Sequence, residues 1–469
     1  MTDFKLTING VTEDSSQFYS VINPATEETI GNSPEASKIQ LDRAVVAANT
    51  AFCSWSQTSR EDRVAALRAF AEKVQLNMDY LARLNTLEQG KPLQESINEL
   101  NACLGWLEYY VNITLPAQIL VDDSDSRIEL QHKPLGVVGG ITPWNAPLMV
   151  ACNKIIPAVL TGNTLVLKPS PYTPLATLKL GELAQEVFPA GVVNVLSGGN
   201  ELGRWMAEHP DIHKISFTGS SATGKAIMTS AACNLKRLTL ELGGNDAGIV
   251  LKDIDIPATV EKLFWAAFYN SGQICAALKR LYVHEDIYES LGAALAQYSS
   301  YIKMGNGLEE GNVLGPLQNE MQFNKVCELA KAAEQEGGRF LCGGKAMEGK
   351  GFFFPVTLVA DLNDDARLVR EEQFGPILPI IKFSDIDQVV AAANSGPNGL
   401  GGSVWTSDLE QGERIARRLQ CGSVWVNKHM DVRPDVPFGG AKESGLGTEH
   451  TALGLAEYTQ LQVVNIAKQ

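Results

Sequence analysis

The stretch PLGVVGGITPWNAPLMVACNKIIPAVLTGNTLVLK (residues 134–168) decides the fold class. Two short apolar runs, PLGVVGGI and NTLVLK, flank a longer segment, and the runs VVNVL, HKISF and RLTLEL continue the pattern to residue 242. Short apolar runs that alternate with longer amphipathic segments are typical of βαβ units. The sequence therefore predicts an α/β fold with a parallel sheet.

Helical patterns precede this region. Residues 41–57 place apolar side chains at helical spacing. A second helix is predicted to begin at Ser59, because Ser59-x-x-Asp62 has the form of a helix cap, and to end at Gly90 ahead of Pro92. The amino-terminal segment is therefore expected to be partly helical.

Extended segments follow. Residues 113–134 contain two extended runs around an Asp/Ser turn, which predicts a hairpin, and LQVVNIAKQ (461–469) resembles a strand with an unpaired edge. Because a compact domain must pair or cover such edges, both segments are candidate oligomerisation arms. From residue 245 onward, RLYV, PILPIIKF, SVWT and SVWVN alternate with helical segments, which predicts a second α/β domain.

Composition excludes several classes of protein. The chain has 469 residues, 45% apolar and 20% charged, which fits a globular protein with at least two domains. Its net charge of −15 disfavours nucleic acid and anionic membranes as partners. No signal peptide or spanning run is recognisable, and the eight cysteines form no CxxC pair. We therefore expect a cytoplasmic protein.

One cysteine lies in a run that favours chemistry. FYNSGQICAA (268–277) places Gly272 and Gln273 before Cys275, where they permit a tight backbone. A thiol is a nucleophile only as the thiolate, in an electropositive and partly accessible setting. Because most single cysteines are packing residues, the case for Cys275 depends on its companions.

Two companions are suited to serve such a nucleophile. Asn145 lies in GGITPWNAP (139–147), where flanking prolines rigidify a loop that can present an amide to an oxyanion; the alternative is an ordinary turn. Glu241 ends a predicted strand in RLTLELGGND (237–246), where apolar neighbours would raise its pKa for general-base work. The alternative for Glu241 is a solvated carboxylate.

A further segment is suited to bind phosphate. HKISFTGSSATGKA (213–226) predicts a strand, a turn with Gly219 and Gly224, and the start of a helix. Ala226 stands where a Walker A loop has the Ser or Thr that binds Mg²⁺, which disfavours an ATPase. A dinucleotide needs no such hydroxyl, although the GxGxxG fingerprint of ordinary Rossmann folds is missing.

Seven motifs, in this order over residues 143–447, closely resemble the aldehyde dehydrogenase superfamily: PWNAP, LVLKPS, SFTGS, LELGGN, NSGQIC, EEQFGP and PFGGAKESGLG. The resemblance implies a Rossmann-like cofactor domain, an α/β catalytic domain and an oligomerisation arm. It implies oxidation of an aldehyde to its acid with NAD(P)⁺, through a cysteine thiohemiacetal and thioester. Glu241 favours the non-acylating, hydrolytic type, because members that acylate coenzyme A generally lack this glutamate.

The resemblance also implies residue roles. Cys275 matches the nucleophile, Glu241 the general base and Asn145 the oxyanion donor. Lys154 and Glu449 match supporting positions that are proposed to relay the proton of the base. Contacts to the cofactor are implied for Thr142, Trp144, Lys168, Ser170, Gly219, Ser220, Gly243, Glu372 and Phe374. Within that set, Lys168 would contact the adenosine ribose, Ser220 the pyrophosphate and Glu372 the nicotinamide ribose.

Cofactor and substrate choice are less fixed. Pro171 stands where many NAD-preferring members have a glutamate that repels a 2′-phosphate, which leaves NADP as an alternative. Because no cation beyond Lys168 is added nearby to favour NADP, we predict NAD. Trp265 and Tyr269 favour an aromatic or medium-sized apolar aldehyde. A carboxylate-binding mouth at His429 and Arg433 is a disfavoured alternative. By position, the implied tunnel is lined by Ala146, Met149, Val150, Asn153, Trp265, Tyr269, Ile274, His429, Met430, Val432 and Arg433.

The predicted organisation is a cofactor domain (1–113 and 132–243), a catalytic domain (244–446) and an arm (114–131 and 447–469). The arm predicts a homodimer or homotetramer. We predict no metal site, because Pro210 interrupts the His209–His213 pair. The rival to an enzyme is a catalytically silent protein on the same scaffold, which the intact Cys275, Glu241 and Asn145 disfavour.

Overall fold

The structure is a computed structural model that describes residues 4–468. Residues 1–3 and 469, which fall in the predicted cofactor domain and arm, lie outside the described residues. The first elements are β1 (Leu6–Ile8), β2 (Val11–Glu13), β3 (Gln17–Ile22), β4 (Thr29–Glu35), α1 (Lys38–Trp55), α2 (Arg60–Leu76), α3 (Met78–Gln89), α4 (Leu93–Tyr110), β5 (Gln118–Asp122) and β6 (Ser126–Pro134). They are followed by β7 (Val137–Ile141), α5 (Pro147–Leu160), β8 (Thr164–Lys168), α6 (Leu175–Gln185), β9 (Val193–Val195), α7 (Asn200–Glu208), β10 (Lys214–Thr218), α8 (Ser221–Ala231) and β11 (Arg237–Glu241).

The second half contains a further set of strands and helices. These are β12 (Asp246–Val250), α9 (Ile256–Phe268), β13 (Leu278–His284), α10 (Tyr288–Ser299), α11 (Glu320–Gln335), β14 (Arg339–Cys342), β15 (Thr357–Ala360), α12 (Arg367–Arg370) and β16 (Ile377–Phe383). The last are α13 (Ile386–Ala393), β17 (Asn398–Gly399), β18 (Gly401–Trp405), α14 (Leu409–Ala416), β19 (Ser423–Val426), β20 (Ala441–Lys442), β21 (Gly445–Leu446), α15 (Thr451–Ala456) and β22 (Thr459–Ala467).

An eight-stranded sheet has the order β2-β1-β9-β8-β7-β10-β11-β21. Its central strands, from β9 to β11, pair in parallel. β7 and β8 are buried at every position, as expected for strands that helices cover on both faces. The predicted α/β fold with a parallel sheet is therefore confirmed. The carboxyl ends of β7, β8, β10 and β11 share one edge, where a ligand would bind.

A seven-stranded sheet has the order β14-β15-β16-β13-β12-β18-β19 and is parallel except at β14, which confirms a second α/β unit. The two sheets are linked after β11 by the turn Leu242–Asn245. The short strand β21 returns to the first sheet and pairs antiparallel with β11, with Leu446 opposite Leu240. The exact domain boundaries remain a prediction.

The helix predicted from Ser59 to Gly90 is wrong in one respect, because it is broken at Asn77. Ser59 does cap α2, since its Oγ accepts from Asp62 N at 3.0 Å. Asn77 Nδ2 donates to Lys73 O at 2.8 Å and closes the last turn of α2, after which α3 begins at Met78. α3 ends as predicted at Gly90, which has a φ of 96°.

A three-stranded sheet has the order β22-β6-β5. The predicted hairpin is confirmed as β5 and β6, whose turn is held by Asp123 Oδ1 accepting from the N–H groups of Asp125 and Ser126. The carboxyl-terminal strand was expected to be unpaired, which is wrong for one of its two edges. β22 pairs antiparallel with β6 along its whole length, which satisfies the backbone groups of that edge.

α5 lies inside the molecule. Its residues from Pro147 to Leu160 are buried except Met149, and Lys154 has no exposed surface at all. A fully buried lysine in an apolar helix needs a partner to offset its desolvation. No helix within residues 4–468 combines the length and apolar character needed to cross a membrane.

Candidate active site

Cys275 follows a strained turn at the end of α9. In this turn Asn270 and Ser271 have φ of 50° and 54°, and Gly272 has 73°. A Cβ on Gly272 would lie 2.4 Å from Gly375 O, so only glycine fits there. Non-glycine residues in left-handed conformations cost energy and cluster at functional sites. The turn therefore holds the main chain ahead of Cys275 in one defined path.

Asn145 faces this turn from the other sheet. It lies in the loop between β7 and α5, and its Nδ2 donates to Gln273 O at 2.8 Å. In return Asn270 Nδ2 donates to Asn145 O at 3.1 Å. Pro147 begins α5 and fixes the end of the loop. These contacts bring the predicted oxyanion donor against the loop that carries the predicted nucleophile.

A buried ion pair that sequence reasoning missed supports the Asn145 loop. Lys91 Nζ donates to Asn145 O at 2.8 Å and to Glu99 Oε2 at 2.7 Å. Glu99 Oε1 accepts from the N–H groups of Leu148 and Met149 and so caps α5. The signal that was available is the charge of Glu99 on the buried face of α4, where a partner is required.

Glu241 ends β11 with a buried carboxylate. Neither of its oxygens has a hydrogen-bond partner among residues 4–468. Burial raises the pKa of Glu241 well above its usual value, and Glu449 raises it further while Lys154 opposes the rise. Lys154 and Glu449 form a close ion pair. This arrangement suits a base whose pKa lies above the usual range of glutamate, with a charged pair beside it.

The thiol of Cys275 is half-buried and surrounded by charge. Burial raises the pKa of Cys275 to about 12, and Glu241, Glu372 and Asp246 add to the rise, whereas Lys279 opposes it. The free protein therefore holds a thiol rather than a thiolate at neutral pH, and a base or a nearby positive charge must activate it. Lys279 and Asp246 were not among the predicted site residues.

The first predicted cofactor residues lie where β7 and β8 end. Thr142 N donates to Lys168 O at 3.0 Å, which joins the two loops, and Ser170 is buried beside them. Lys168 Nζ donates to Pro169 O at 3.2 Å, and burial lowers the pKa of Lys168 to about 8 while Glu35 opposes the fall. Thr142 Oγ1 and the remaining Lys168 donors lack partners within residues 4–468, so polar groups stay available here.

Gly219 and Ser220 lead from β10 into α8. Ser220 caps this helix, since its Oγ accepts from Thr223 N at 3.3 Å. A Cβ on Gly219 would lie 2.4 Å from the ring of Phe217, and Gly219 N donates to Glu241 O at 2.9 Å. The amino terminus of α8 therefore lies next to the end of β11, in a position suited to an anionic group.

Glu372, Phe374, Trp144 and Gly243 meet between the two sheets. Glu372 Oε1 accepts from Gly244 N at 3.0 Å, and a Cβ on Gly243 would lie 2.4 Å from Glu372 Oε2. The rings of Trp144 and Phe374 are 5.3 Å apart, edge to face. The predicted cofactor residues of both sheets are thus close in space, although their roles stay predictions.

Part of the predicted tunnel surrounds Cys275. Met430 and Val432 pack with Cys275 against a small apolar cluster that includes Phe438. Trp265 packs edge to face with Phe264 at 5.2 Å. The remaining predicted positions lie in the Asn145 loop, on α5 and in the turn before Cys275: Ala146, Met149, Val150, Asn153, Tyr269 and Ile274. Their role as tunnel lining stays a prediction.

The placement of His429 at the mouth of the site is wrong. Its side chain has no exposed surface, its Nε2 lies 3.1 Å from Ala276 O, and its Nδ1 lies 2.9 Å from Ser403 Oγ. His429 is therefore packed behind Cys275, where β18 and β19 bury it. Arg433 is exposed and forms two hydrogen bonds with Asp435, at 2.8 and 2.6 Å.

The chain matches known proteins over nearly its whole length. Residues 11–464 match the model of the aldehyde dehydrogenase family. The chain is 40% identical to aldehyde dehydrogenase LUC3 of Fusarium sp, covering 100% of this chain and 99% of that protein. It is 38% identical to retinaldehyde dehydrogenase 3 of Homo sapiens, covering 96% of this chain and 90% of that protein.

A solved structure agrees. Betaine aldehyde dehydrogenase of Staphylococcus aureus in complex with NAD⁺ superposes with a TM-score of 0.96 at 34% identity, covering 99% of this chain and 95% of that one. Fold, motif order and sequence identity point to the same conclusion. The chain belongs to the aldehyde dehydrogenase family.

Proposed function

We propose that the protein oxidises an aldehyde to its carboxylic acid with NAD⁺, through a thioester on Cys275. One observation carries the proposal: Asn145 contacts the loop that precedes Cys275, and the unpartnered carboxylate of Glu241 is close enough to raise the pKa of its thiol. A nucleophile, an oxyanion donor and a base are the groups that this acyl chemistry needs.

The first half of the reaction forms the thioester. Glu241 takes up the proton of the Cys275 thiol and releases it to solvent before the hydrolysis step. The thiolate attacks the carbonyl carbon, a C–S bond forms, and the electron pair of the C=O bond moves onto oxygen. The Asn145 amide and the Cys275 backbone N–H stabilise this oxyanion, and such a donor lowers the barrier by about 3 kcal/mol. When the C=O bond re-forms, the substrate C–H bond breaks and the hydride leaves. Bound NAD⁺ supplies the acceptor for that hydride.

The second half releases the acid. A water molecule gives a proton to Glu241 and attacks the thioester carbon. The C–S bond then breaks, which releases the carboxylic acid and regenerates the Cys275 thiolate. The proton on Glu241 then reaches solvent through the neighbouring Lys154–Glu449 pair. A raised pKa on Glu241 supports this step, because a base works best when its pKa lies near the working pH.

The residues present fit a dinucleotide. Lys168 has donors to spare for ribose hydroxyls, the amino terminus of α8 at Ser220 suits the pyrophosphate, and Glu372 retains a free oxygen for the second ribose. Glu35 is close enough to influence the pKa of Lys168, and its negative charge would repel a 2′-phosphate. This favours NAD over NADP, although Pro171 cannot add to the discrimination.

The substrate proposal is an aromatic or medium-sized apolar aldehyde. The apolar contacts of Met430 and Val432 beside Cys275 support it. Arg433 is already paired with Asp435, which weakens the case for an acidic aldehyde. Relatives carry names that refer to different aldehydes, so the aldehyde is identified here only by class.

We further propose a cytoplasmic homodimer or homotetramer, with the predicted domains and arm. The exposed side chains of Leu461, Val463 and Ile466 on β22, and of Ile119 and Leu120 on β5, support an interface at this sheet. Light scattering at micromolar concentration tests the assembly, and a monomer would contradict it.

The deciding experiment assays a panel of aliphatic, aromatic, amino and acidic aldehydes with NAD⁺ and with NADP⁺, beside Cys275→Ala. We expect turnover that is highest with an apolar aldehyde and NAD⁺, and a loss on the order of 10⁴-fold or more in the variant. Undiminished oxidation by Cys275→Ala would overturn the mechanism. A folded wild-type protein that oxidises none of the panel would favour the silent scaffold.

A further inference from the structure

Three consecutive carbonyls around the nucleophile are held by buried side chains. Lys279 Nζ donates to Ile274 O at 2.9 Å and, more closely, to Cys275 O. His429 holds the next carbonyl, at Ala276. Burial lowers the pKa of His429 to about 3, so its ring is neutral and donates from Nε2 while Nδ1 accepts from Ser403 Oγ. Main chain that is fixed at three successive carbonyls cannot reorient without losing these bonds.

Lys279 also faces two carboxylates. Its Nζ lies 3.2 Å from Glu372 Oε1, and its side chain is 3% exposed. Asp246, at the start of β12, has both carboxylate oxygens buried without a hydrogen-bond partner within residues 4–468. Burial raises the pKa of Asp246 to about 7, and Lys279 is the largest charge that opposes this rise. Lys279 thus contacts the nucleophile loop and Glu372, and its charge also influences Asp246.

We propose that Lys279 is a positioning residue for the nucleophile, which fixes the main chain of Cys275 and places a positive charge behind its thiol. The inference rests on the proposed role of Cys275 and adds a group that activates it. The ionisable groups that face the thiol are Lys279 on β13, Glu241 on β11, Asp246 on β12 and Glu372 after α12. Three of these are acids that disfavour the thiolate, so the one cation among them has a large effect.

The test measures alkylation of Cys275 by iodoacetamide as a function of pH, without aldehyde or cofactor, with the modified peptide quantified by mass spectrometry. Lys279→Gln keeps a donor for the carbonyls but removes the charge. We expect its alkylation profile to shift to higher pH by about one unit, which makes alkylation about tenfold slower at a fixed pH below the midpoint. An unshifted profile in a folded Lys279→Gln protein would overturn the proposal.

Two further variants separate charge from packing. Lys279→Arg keeps the charge, and we expect it to restore most of the wild-type profile. Lys236→Gln is a matched control, because Lys236 also donates to two backbone carbonyls, at His209 and Ile212, away from the site. We expect Lys236→Gln to leave the Cys275 profile unchanged. A shift in Lys236→Gln equal to that in Lys279→Gln would assign the effect to general loosening and contradict the proposal.

The opposite charge change keeps the proposal testable if Lys279→Gln does not fold. Glu372→Gln removes a carboxylate that faces Lys279 and leaves the carbonyl contacts intact. Because Glu372 also acts directly on the thiol, its variant is compared with the double variant Lys279→Gln/Glu372→Gln. We expect the double variant to be alkylated at higher pH than Glu372→Gln alone, and equal profiles would overturn the proposal. Because alkylation needs no turnover, these results stand apart from the aldehyde assays, whose failure would reject the oxidation itself.

Discussion

Among the lysine–glutamate pairs beside the candidate site, Lys91–Glu99 and Lys279–Glu372 differ in how fully the glutamate is hydrogen-bonded. Lys91 and Lys279 each donate to the backbone carbonyl of a predicted catalytic residue, Asn145 and Cys275 respectively. Glu99 is 5% exposed and accepts from four donors. Glu372 is 24% exposed, and its carboxylate has two polar partners among residues 4–468, Gly244 N and Lys279 Nζ.

Glu241 is the third glutamate in this comparison, and its carboxylate accepts no hydrogen bond from residues 4–468. A carboxylate with every lone pair used belongs to the scaffold, since moving it breaks several bonds at once. A carboxylate with some free lone pairs can bind a ligand. A carboxylate that accepts no hydrogen bond can take up a proton. The number of donors thus distinguishes three glutamates that look alike in the sequence, and it agrees with a supporting role for Glu99 and the proposed roles of Glu372 and Glu241.

The largest effect is expected at the fully satisfied pair. Lys91→Met leaves Glu99 buried without its cation, and we expect the free energy of unfolding to fall by about 3–5 kcal/mol. Denaturant titration measures this loss. The double variant Lys91→Met/Glu99→Leu should recover part of it, because no unpaired charge remains. An unchanged unfolding midpoint in Lys91→Met would contradict the idea that the Lys91–Glu99 pair supports the fold more than the Lys279–Glu372 pair does.

A smaller effect, on activity alone, is expected at Asn145. Asn145→Ala removes the amide but keeps the backbone carbonyl that Lys91 binds, so stability should stay near that of the wild type. We expect kcat to fall by about 10²–10³ through loss of the oxyanion donor. Steady-state kinetics beside thermal melting check this split. A large loss of stability with unchanged kcat would show that Asn145 only supports the loop.

The raised pKa of Glu241 predicts a pH dependence of acid release. Because only the ionised carboxylate accepts a proton, the rate should fall by about tenfold per pH unit below that pKa, in a window above the ordinary range of glutamate. Rapid quenching should then detect the thioester accumulating at the lower pH values. Thioester hydrolysis that is independent of pH between 5 and 8 would contradict the role of Glu241.

The smallest effect is expected at the open pair. Glu372→Gln weakens a contact worth about 1.5 kcal/mol, so the Kd for NAD⁺ should rise by about tenfold. Stability should change by less than about 0.5 kcal/mol, because this carboxylate is partly exposed and loosely held. Fluorescence titration measures the affinity. A loss of stability as large as that of Lys91→Met would place Glu372 with the scaffold.

Sequence patterns were sufficient to predict the α/β fold and its parallel sheet. Strands buried on both faces, such as β7 and β8, form short apolar runs that stand out from their surroundings. The break at Asn77 was missed because helical periodicity continues across it, and only the side-chain bond to Lys73 O ends the first helix. The local pattern thus predicted which helices and strands form better than it predicted the residues at which they begin and end.

The supporting charges could not be predicted, because their partners are distant in the chain. Lys279 and Glu372 are separated by 93 positions, and Glu99 caps a helix that begins 48 positions later. The position of Glu99 on the buried face of α4 indicates that it needs a partner, but only the fold shows which one. His429 was wrongly placed for the same reason, since tertiary packing alone decides its burial.

The pairing of β21 with β11 sets an order for biosynthesis. Glu241 lies opposite Gly445 in that pair, so the edge strand that carries the base stays open until about 200 further residues have been made. At roughly 5–20 residues per second, this is a wait of about 10–40 s during which the nascent chain exposes an unpaired strand. The proposed active site is therefore among the last parts of the protein to mature, and a prematurely terminated chain would contain the Cys275 thiol without the strand pair that holds Glu241.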